Sequence, residues 1–212
     1  MPVVAYINTY ADVKAEVDYC CTSGNAVKLV ESLNASQVIF LPDEYLAKNV
    51  AEELGREILI AAPGEYPELT DNIGMIGWKG RCEVHEKFTV EDIEVARKQY
   101  PEVEVITHPE SSPEVVAASD FSGSTSVMVD YVKSSSKKQF LILTECSMGD
   151  NIIAENPEKE AIRMCHVRCP HMNQITLEDT VKALRENVKL IEIDEELRKK
   201  ALGSVERMLK IG

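Results

Sequence analysis

The sequence predicts an α/β fold built from two pseudo-repeated three-layer αβα units with parallel sheets. Short apolar runs alternate with amphipathic segments along most of the chain, which is the pattern of a parallel sheet covered by helices on both faces. Polar residues recur at a constant offset of 102 positions, pairing Asp18 with Asp120, Ser23 with Thr125 and Asp43 with Glu145, as an internal duplication requires. Each unit is closed by a cysteine, Cys82 and Cys169, 87 positions apart. The chain turns over from one unit to the next at Gly80-Arg81-Cys82-Glu83-Val84-His85. The expected organisation is therefore an α/β unit over 1–81, a second over 82–172, and a helical segment over 173–212.

In chain order, the run PVVAYI at 2–7 reads as a buried parallel strand, and Asn8-Thr9-Tyr10 opens a helix to about residue 17. Cys20 and Cys21 lie on the next strand and read as small core residues. Thr22-Ser23-Gly24-Asn25 is a small polar turn that caps a helix over 26–33. A strand over 36–41, a helix to residue 54 and a strand over 57–60 follow. From 61 to 79 the alternation stops, in a stretch holding Gly64, Gly74 and Gly77. That length implies a functional lid, or an insertion with its own short strand at 74–78. Beyond Cys82 come a helix over 90–100, a strand over 103–106, a helix over 113–118, and the turn Ser122-Gly123-Ser124-Thr125-Ser126. A helix to residue 133 and a strand over 140–143 ending at Thr144-Glu145 complete the second unit. The tail reads as amphipathic helices over 175–187 and 194–211 around a strand at 189–193.

A formal net charge of −13 leaves no basic face for nucleic acid or anionic lipid, so neither is an expected partner. No run approaches the ~18 apolar residues of a membrane span, and the start lacks the regions of a signal peptide. The expected compartment is the cytoplasm. The six cysteines of such a chain are expected to be buried thiols or metal ligands rather than a disulfide framework.

Ligands of parallel α/β sheets collect at the carboxyl ends of the strands. Asn8, Ser23, His108, Glu110 and Thr125 fall there. His108-Pro109-Glu110 puts an imidazole and a carboxylate two positions apart on a stiff tripeptide, suited to general acid–base work. A helix-capping turn with a structural histidine is the competing reading, but Glu110 aligns with Asn8 across the repeat, which favours chemistry. Ser23 and Thr125 each precede a helix, where capping and anion binding are compatible roles. The motif Cys165-His166-Val167-Arg168-Cys169-Pro170-His171 could, with Cys82 and His85, hold a tetrahedral zinc ion. Equivalent thiols in two repeats suit instead a shared iron–sulfur cluster with one cysteine from each unit. Stepping 87 positions back from Cys82 falls before Met1, which predicts a third unit with its own cysteine.

Taken in order, Tyr6-Ile7-Asn8-Thr9, Cys21-Thr22-Ser23-Gly24-Asn25-Ala26-Val27, Cys82-Glu83-Val84-His85, His108-Pro109-Glu110, Gly123-Ser124-Thr125-Ser126, Thr144-Glu145 and Cys169-Pro170-His171-Met172 resemble the quinolinate synthase family. The resemblance implies a pseudo-threefold fold of three α/β domains, of which this chain matches the second and third, with the segment over 173–212 packing toward the missing first. It implies a 4Fe-4S cluster held by one cysteine from each domain, with Cys82 and Cys169 as ligands and an open iron acting as a Lewis acid. The implied reaction condenses iminoaspartate with dihydroxyacetone phosphate to quinolinate, in the de novo synthesis of NAD. L-aspartate oxidase would be the upstream supplier. By the same resemblance Tyr6, Ile7, Asn8, Ser23, His108, Pro109, Glu110 and Thr125 bind substrate, and His108 and Glu110 are catalytic. Nothing in the chain matches the family's first domain, so an incomplete form is expected. The alternatives are a non-catalytic remnant or subunit that docks a separate first-domain chain, or a structural zinc-binding protein.

Overall fold

The structure is a computed structural model that describes residues 1–65, 68–188 and 190–211. Its first sheet holds five strands in the order β2-β1-β3-β5-β4: β1 (Val3–Tyr6), β2 (Tyr19–Cys21), β3 (Val38–Leu41), β4 (Glu57–Ala61) and β5 (Ile73–Trp78). The second holds four in the order β7-β6-β8-β9: β6 (Glu104–Thr107), β7 (Phe121–Ser122), β8 (Gln139–Leu143) and β9 (Glu160–Arg163). Every pairing in both is parallel. The crossovers are the helices α1 (Ala11–Glu16), α2 (Ala26–Ser32), α3 (Glu44–Glu53), α4 (Val90–Gln99), α5 (Pro113–Ala118), α6 (Thr125–Ser134) and α7 (Cys146–Glu155). Helices on both faces explain why Val4, Phe40, Val105, Phe140 and Leu141 are all buried without regard to strand alternation.

The repeat is visible at atomic detail. The Asp18 carboxylate accepts from the Val3 N–H at 2.8 Å, and the Asp120 carboxylate accepts from the Val105 N–H at 2.8 Å. In each unit the second strand's leading aspartate thus clips the foot of the first strand. Asp43 caps α3 through the Leu46 N–H, and Glu145 caps α7 through the Ser147 N–H. The β1, β2 and β3 order of the first sheet is repeated by β6, β7 and β8.

The short strand expected at 74–78 forms as β5 (Ile73–Trp78), but it sits inside the first sheet between β3 and β4 rather than in a lid or a separate insertion. A Cβ on Gly77 would lie 2.8 Å from Ile60 Cδ1 and 3.1 Å from Ala47 Cβ, so the small residue lets α3 and β4 close on the strand. Unassigned from sequence, α7 and β9 return the chain so that Cys146 and Cys165 join in a disulfide with Cα atoms 5.0 Å apart. Cys165 is therefore withdrawn from the four-ligand zinc arrangement weighed above.

In the tail, α8 (Leu177–Glu186) and α9 (Glu195–Ile211) form as helices. Lys189, the first residue of the expected strand, lies outside the described residues; 190–193 are not strand. That run has no neighbouring strand edge among the described residues, and Ile191 is 88% exposed. Where the tail was expected to pack toward a further domain, α9 instead covers the first unit, burying Ala201, Ser204 and Met208. Its Ser204 hydroxyl lies 2.9 Å from the Lys14 carbonyl, and Arg207 donates to the Asp18 carbonyl. No helix among the described residues is long and apolar enough to cross a membrane.

Candidate functional site

The carboxyl ends of β1, β3, β6 and β8 converge on a cavity of about 810 Å³. Tyr6 enters from the end of β1 and Asn8 from the turn beyond it; His108 and Glu110 follow β6, Thr125 opens α6, and Thr144 and Glu145 follow β8. Cys82 and His85 come from the turnover between units and Cys169 from the segment after β9. Ser23 lines a smaller neighbouring cavity of about 280 Å³, yet its hydroxyl reaches His108 Nε2 at 3.1 Å. Ile7 packs against the first core and its N–H donates to the Cys21 carbonyl at 2.8 Å. Pro109 lines the smaller cavity, and its carbonyl accepts from Asn49 Nδ2 at 2.7 Å.

Backbone anchors set the position of Cys82. Asp43, capping α3 with one oxygen, accepts the Cys82 N–H with the other at 2.9 Å. The Gly80 carbonyl accepts from the Glu44 N–H at 2.6 Å. A Cβ on Gly80 would stand 2.4 Å from the Pro42 carbonyl oxygen, so only glycine permits this approach. Glu44 accepts from Lys48 at 2.6 Å and from Arg81 at 3.0 Å. Burial pushes the Asp43 carboxyl up to about 6, helped by Glu110, against the two N–H bonds it accepts.

Two histidines and a carboxylate form the polar centre. The rings of His85 and His108 stack with centroids 4.5 Å apart. Glu110 Oε2 lies 3.0 Å from His85 Nδ1 and 3.3 Å from His108 Nδ1. Burial and the charge on His85 push His108 down to about 4. His85 moves the other way. Burial opposes its charge, but the Cys82 thiol and Glu110 carboxylate beside it prevail and raise it to about 9. Glu110 is lowered despite burial, because both imidazoles favour its anion. Of two stacked rings this close only one carries the positive charge, and it is His85.

The Glu110 N–H donates to His108 Nδ1 at 3.3 Å, which leaves the proton of neutral His108 on Nε2, donating to the Ser23 hydroxyl. Tyr6 is kept protonated well above the ordinary phenol range by burial and by Glu110. At neutral pH the site therefore presents an imidazolium–carboxylate pair, a neutral imidazole and a phenol. Nitrogen-15 NMR of the metal-free chain is expected to show His85 still protonated at pH 8 and His108 still neutral at pH 5. Both rings titrating near the usual ~6.5 would contradict this arrangement. The stability terms have opposite signs: the His85 term is full below ~6.5 and is lost as pH rises through 9, whereas the His108 term is full above ~6.5 and is lost as pH falls through 4.

Sequence reasoning assigned His85 only to a zinc alternative and gave Thr144 and Glu145 no chemistry. His85 is 7% exposed and lies 2.9 Å from Thr144 Oγ1 through Nε2. Its signal was the Cys-x-x-His spacing, which puts both side chains on one turn. Glu145 Oε1 is buried with no hydrogen-bond partner among the described residues.

The donor set bears on a cluster. Cys82 and Cys169 face one cavity, so two thiol ligands fit. The other free thiols, Cys20 and Cys21, are fully buried on β2, and burial pushes Cys21 up, disfavouring its thiolate. A third thiolate for a three-cysteine cluster thus has no source at this cavity among the described residues.

A parallel α/β framework with histidine, carboxylate and thiols at its strand ends defines a small-molecule pocket of enzyme type. A model of the quinolinate synthetase A protein family matches residues 1–210. The chain is 49% identical over 209 residues to quinolinate synthase 1 of Mesorhizobium japonicum, covering 99% of this chain and 59% of that protein. It is 49% identical over 211 residues to the quinolinate synthase of Agrobacterium fabrum, covering 100% of this chain and 56% of that protein. The quinolinate synthase of Xylella fastidiosa is 46% identical over 211 residues, with 100% and 57% covered. The chain belongs to the quinolinate synthetase A protein family. It spans little more than half the length of these relatives.

Proposed function

We propose that the chain supplies the catalytic half of a quinolinate synthase, which condenses iminoaspartate with dihydroxyacetone phosphate to quinolinate for NAD synthesis. The observation that carries this reading is the convergence of Cys82, Cys169 and the His85–Glu110–His108 group on one cavity between two repeated units. Condensation and dehydration need protons delivered and removed near neutral pH. Charged His85 is the donor, the Glu110 carboxylate is the acceptor that also holds its proton in place, and neutral His108 donates through Nε2. Asn8 and the hydroxyls of Ser23 and Thr125 orient substrate oxygens without adding charge. The amino terminus of α6, where Thr125 sits, favours a carboxylate or phosphate.

Cys82 and Cys169 would hold a 4Fe-4S cluster together with a third thiolate from the portion that the relatives carry beyond this chain. Such a cluster, when bound, supplies an open iron as a Lewis acid for a hydroxyl or carbonyl. The test joins this chain to the remaining portion of the Agrobacterium fabrum relative and assays quinolinate formation from the two substrates. Turnover is expected; a cluster-loaded protein with none would refute the reading.

The second reading, a subunit that docks a separate first-domain chain, draws on the exposed apolar side chains of the tail, Ile175, Leu177, Leu184 and Ile191.

A further inference from the structure

We propose that Asn49 is a positioning residue that ties the His108-Pro109-Glu110 turn of the second unit to helix α3 of the first, and so sets the acid–base groups in register with Cys82. Its Nδ2 donates to the Pro109 carbonyl at 2.7 Å and to the Ser111 carbonyl at 2.9 Å. A primary amide carries two N–H groups, and here both go to the same turn, on either side of Glu110. The partners fix the amide's orientation, since turning it over would set its oxygen against two carbonyls. The other amide atom, Oδ1, is buried with no hydrogen-bond partner among the described residues. The side chain thus leaves its acceptor unmatched in order to use both donors on one turn.

Four hydrogen bonds run between residues 1–81 and 82–172 among the described residues: the two from Asn49, the Cys82 N–H to Asp43, and His108 with Ser23. Three of them belong to α3 and its capping residue. Asp43 at the head of the helix holds the thiol's backbone, and Asn49, six positions on, holds the turn. At 1.5 Å per residue the two anchors stand ~9 Å apart on one rigid element. Beside Asn49 the seam between the units is not filled by side chains. The 280 Å³ cavity lies there, lined by Leu46 and Val50 of α3 and by Val116 and Ala117 of α5. Apolar packing is interrupted at that point, which leaves alignment of the turn to the amide. Within the second unit Ser111 braces the turn: its N–H donates to the His108 carbonyl at 2.9 Å, and its hydroxyl meets Thr107 Oγ1 at 2.9 Å. Those contacts keep the turn's shape, whereas Asn49 sets its place against the first unit. The bearing of this clamp on turnover rests on the quinolinate reading; the clamp itself does not.

The test uses Asn49→Leu and Asn49→Asp, which keep the branched outline of the side chain and lack both donors. In the 212-residue chain, amide hydrogen exchange at Glu110 and Ser111 should quicken by about 10-fold or more, while Phe140 and Leu141 in β8 keep their rates. In the protein completed with the remaining portion of the Agrobacterium fabrum relative, kcat should fall ~10²-fold with KM little changed. Iron content should stay full, because Asp43 still holds Cys82. Asn49→Leu, which adds no charge, decides where Asn49→Asp does not fold. Unchanged exchange at Glu110 and Ser111 overturns the clamp. So does a change confined to KM, or a loss of iron in proportion to turnover, which would make Asn49 a general support of the fold. A completed protein without turnover before any substitution refutes the quinolinate reading alone, and the exchange rates then decide the clamp.

Discussion

Cys82→Ala, made in the chain joined to the missing portion of its relatives, is expected to abolish both the iron–sulfur absorption and quinolinate formation. The sulfur is one of two that reach the cavity, and no other free thiol is placed to replace it. Its backbone is fixed independently, through Asp43 and the Gly80–Glu44 contact. The substitution should therefore remove the ligand while leaving the loop in place. Unchanged thermal unfolding alongside lost iron is the expected pair of results. Retained turnover would take Cys82 out of the ligand set.

His108→Ala is expected to give a different pattern, with the cluster kept and turnover lowered ~10²- to 10⁴-fold, the range for losing a positioned acid or base. Among the described residues the His108 side chain has no hydrogen bond to a thiol; it meets the Ser23 hydroxyl, Glu110 and the His85 ring. Removing it also leaves the Ser23 hydroxyl without its 3.1 Å partner and frees the Glu110 N–H. A purely structural role would lower stability and leave the pH profile of the residual activity unmoved. A role in proton transfer displaces the profile, because the imidazole held down to about 4 by burial and by the charge on His85 is no longer part of it. Iron content, turnover and the pH profile of the residual activity together separate the two.

Much of this was legible from sequence because the fold is repetitive. Asp18 and Asp120 could be paired by offset alone, and the structure gives them the same hydrogen bond to Val3 and Val105. The helix over 113–118 and the strand ends carrying Asn8, His108 and Thr125 were equally readable, since capping and turn residues mark them. The short strand at 74–78 was legible but its place within the first sheet was not, because Gly74 and Gly77 resemble loop residues until Ala47 and Ile60 are seen pressed against the strand. α7 and β9 lack a strong apolar stripe, and β9 is a short edge strand with charged ends. The tail's apolar alternation promised a strand, but a strand needs an edge to pair with. His85 was the main omission at the site. Its importance lies in tertiary neighbours, Glu110 and Thr144, 25 and 59 positions away, which no local pattern displays.

The account depends most on Cys82 and Cys169 serving one centre. The direct test is the iron and sulfide content of the completed protein after anaerobic reconstitution, compared with its Cys82→Ser and Cys169→Ser variants. About four irons and four sulfides per chain are expected in a brown protein, with each single variant losing the cluster. A colourless product, or a full complement of iron in either variant, would contradict it.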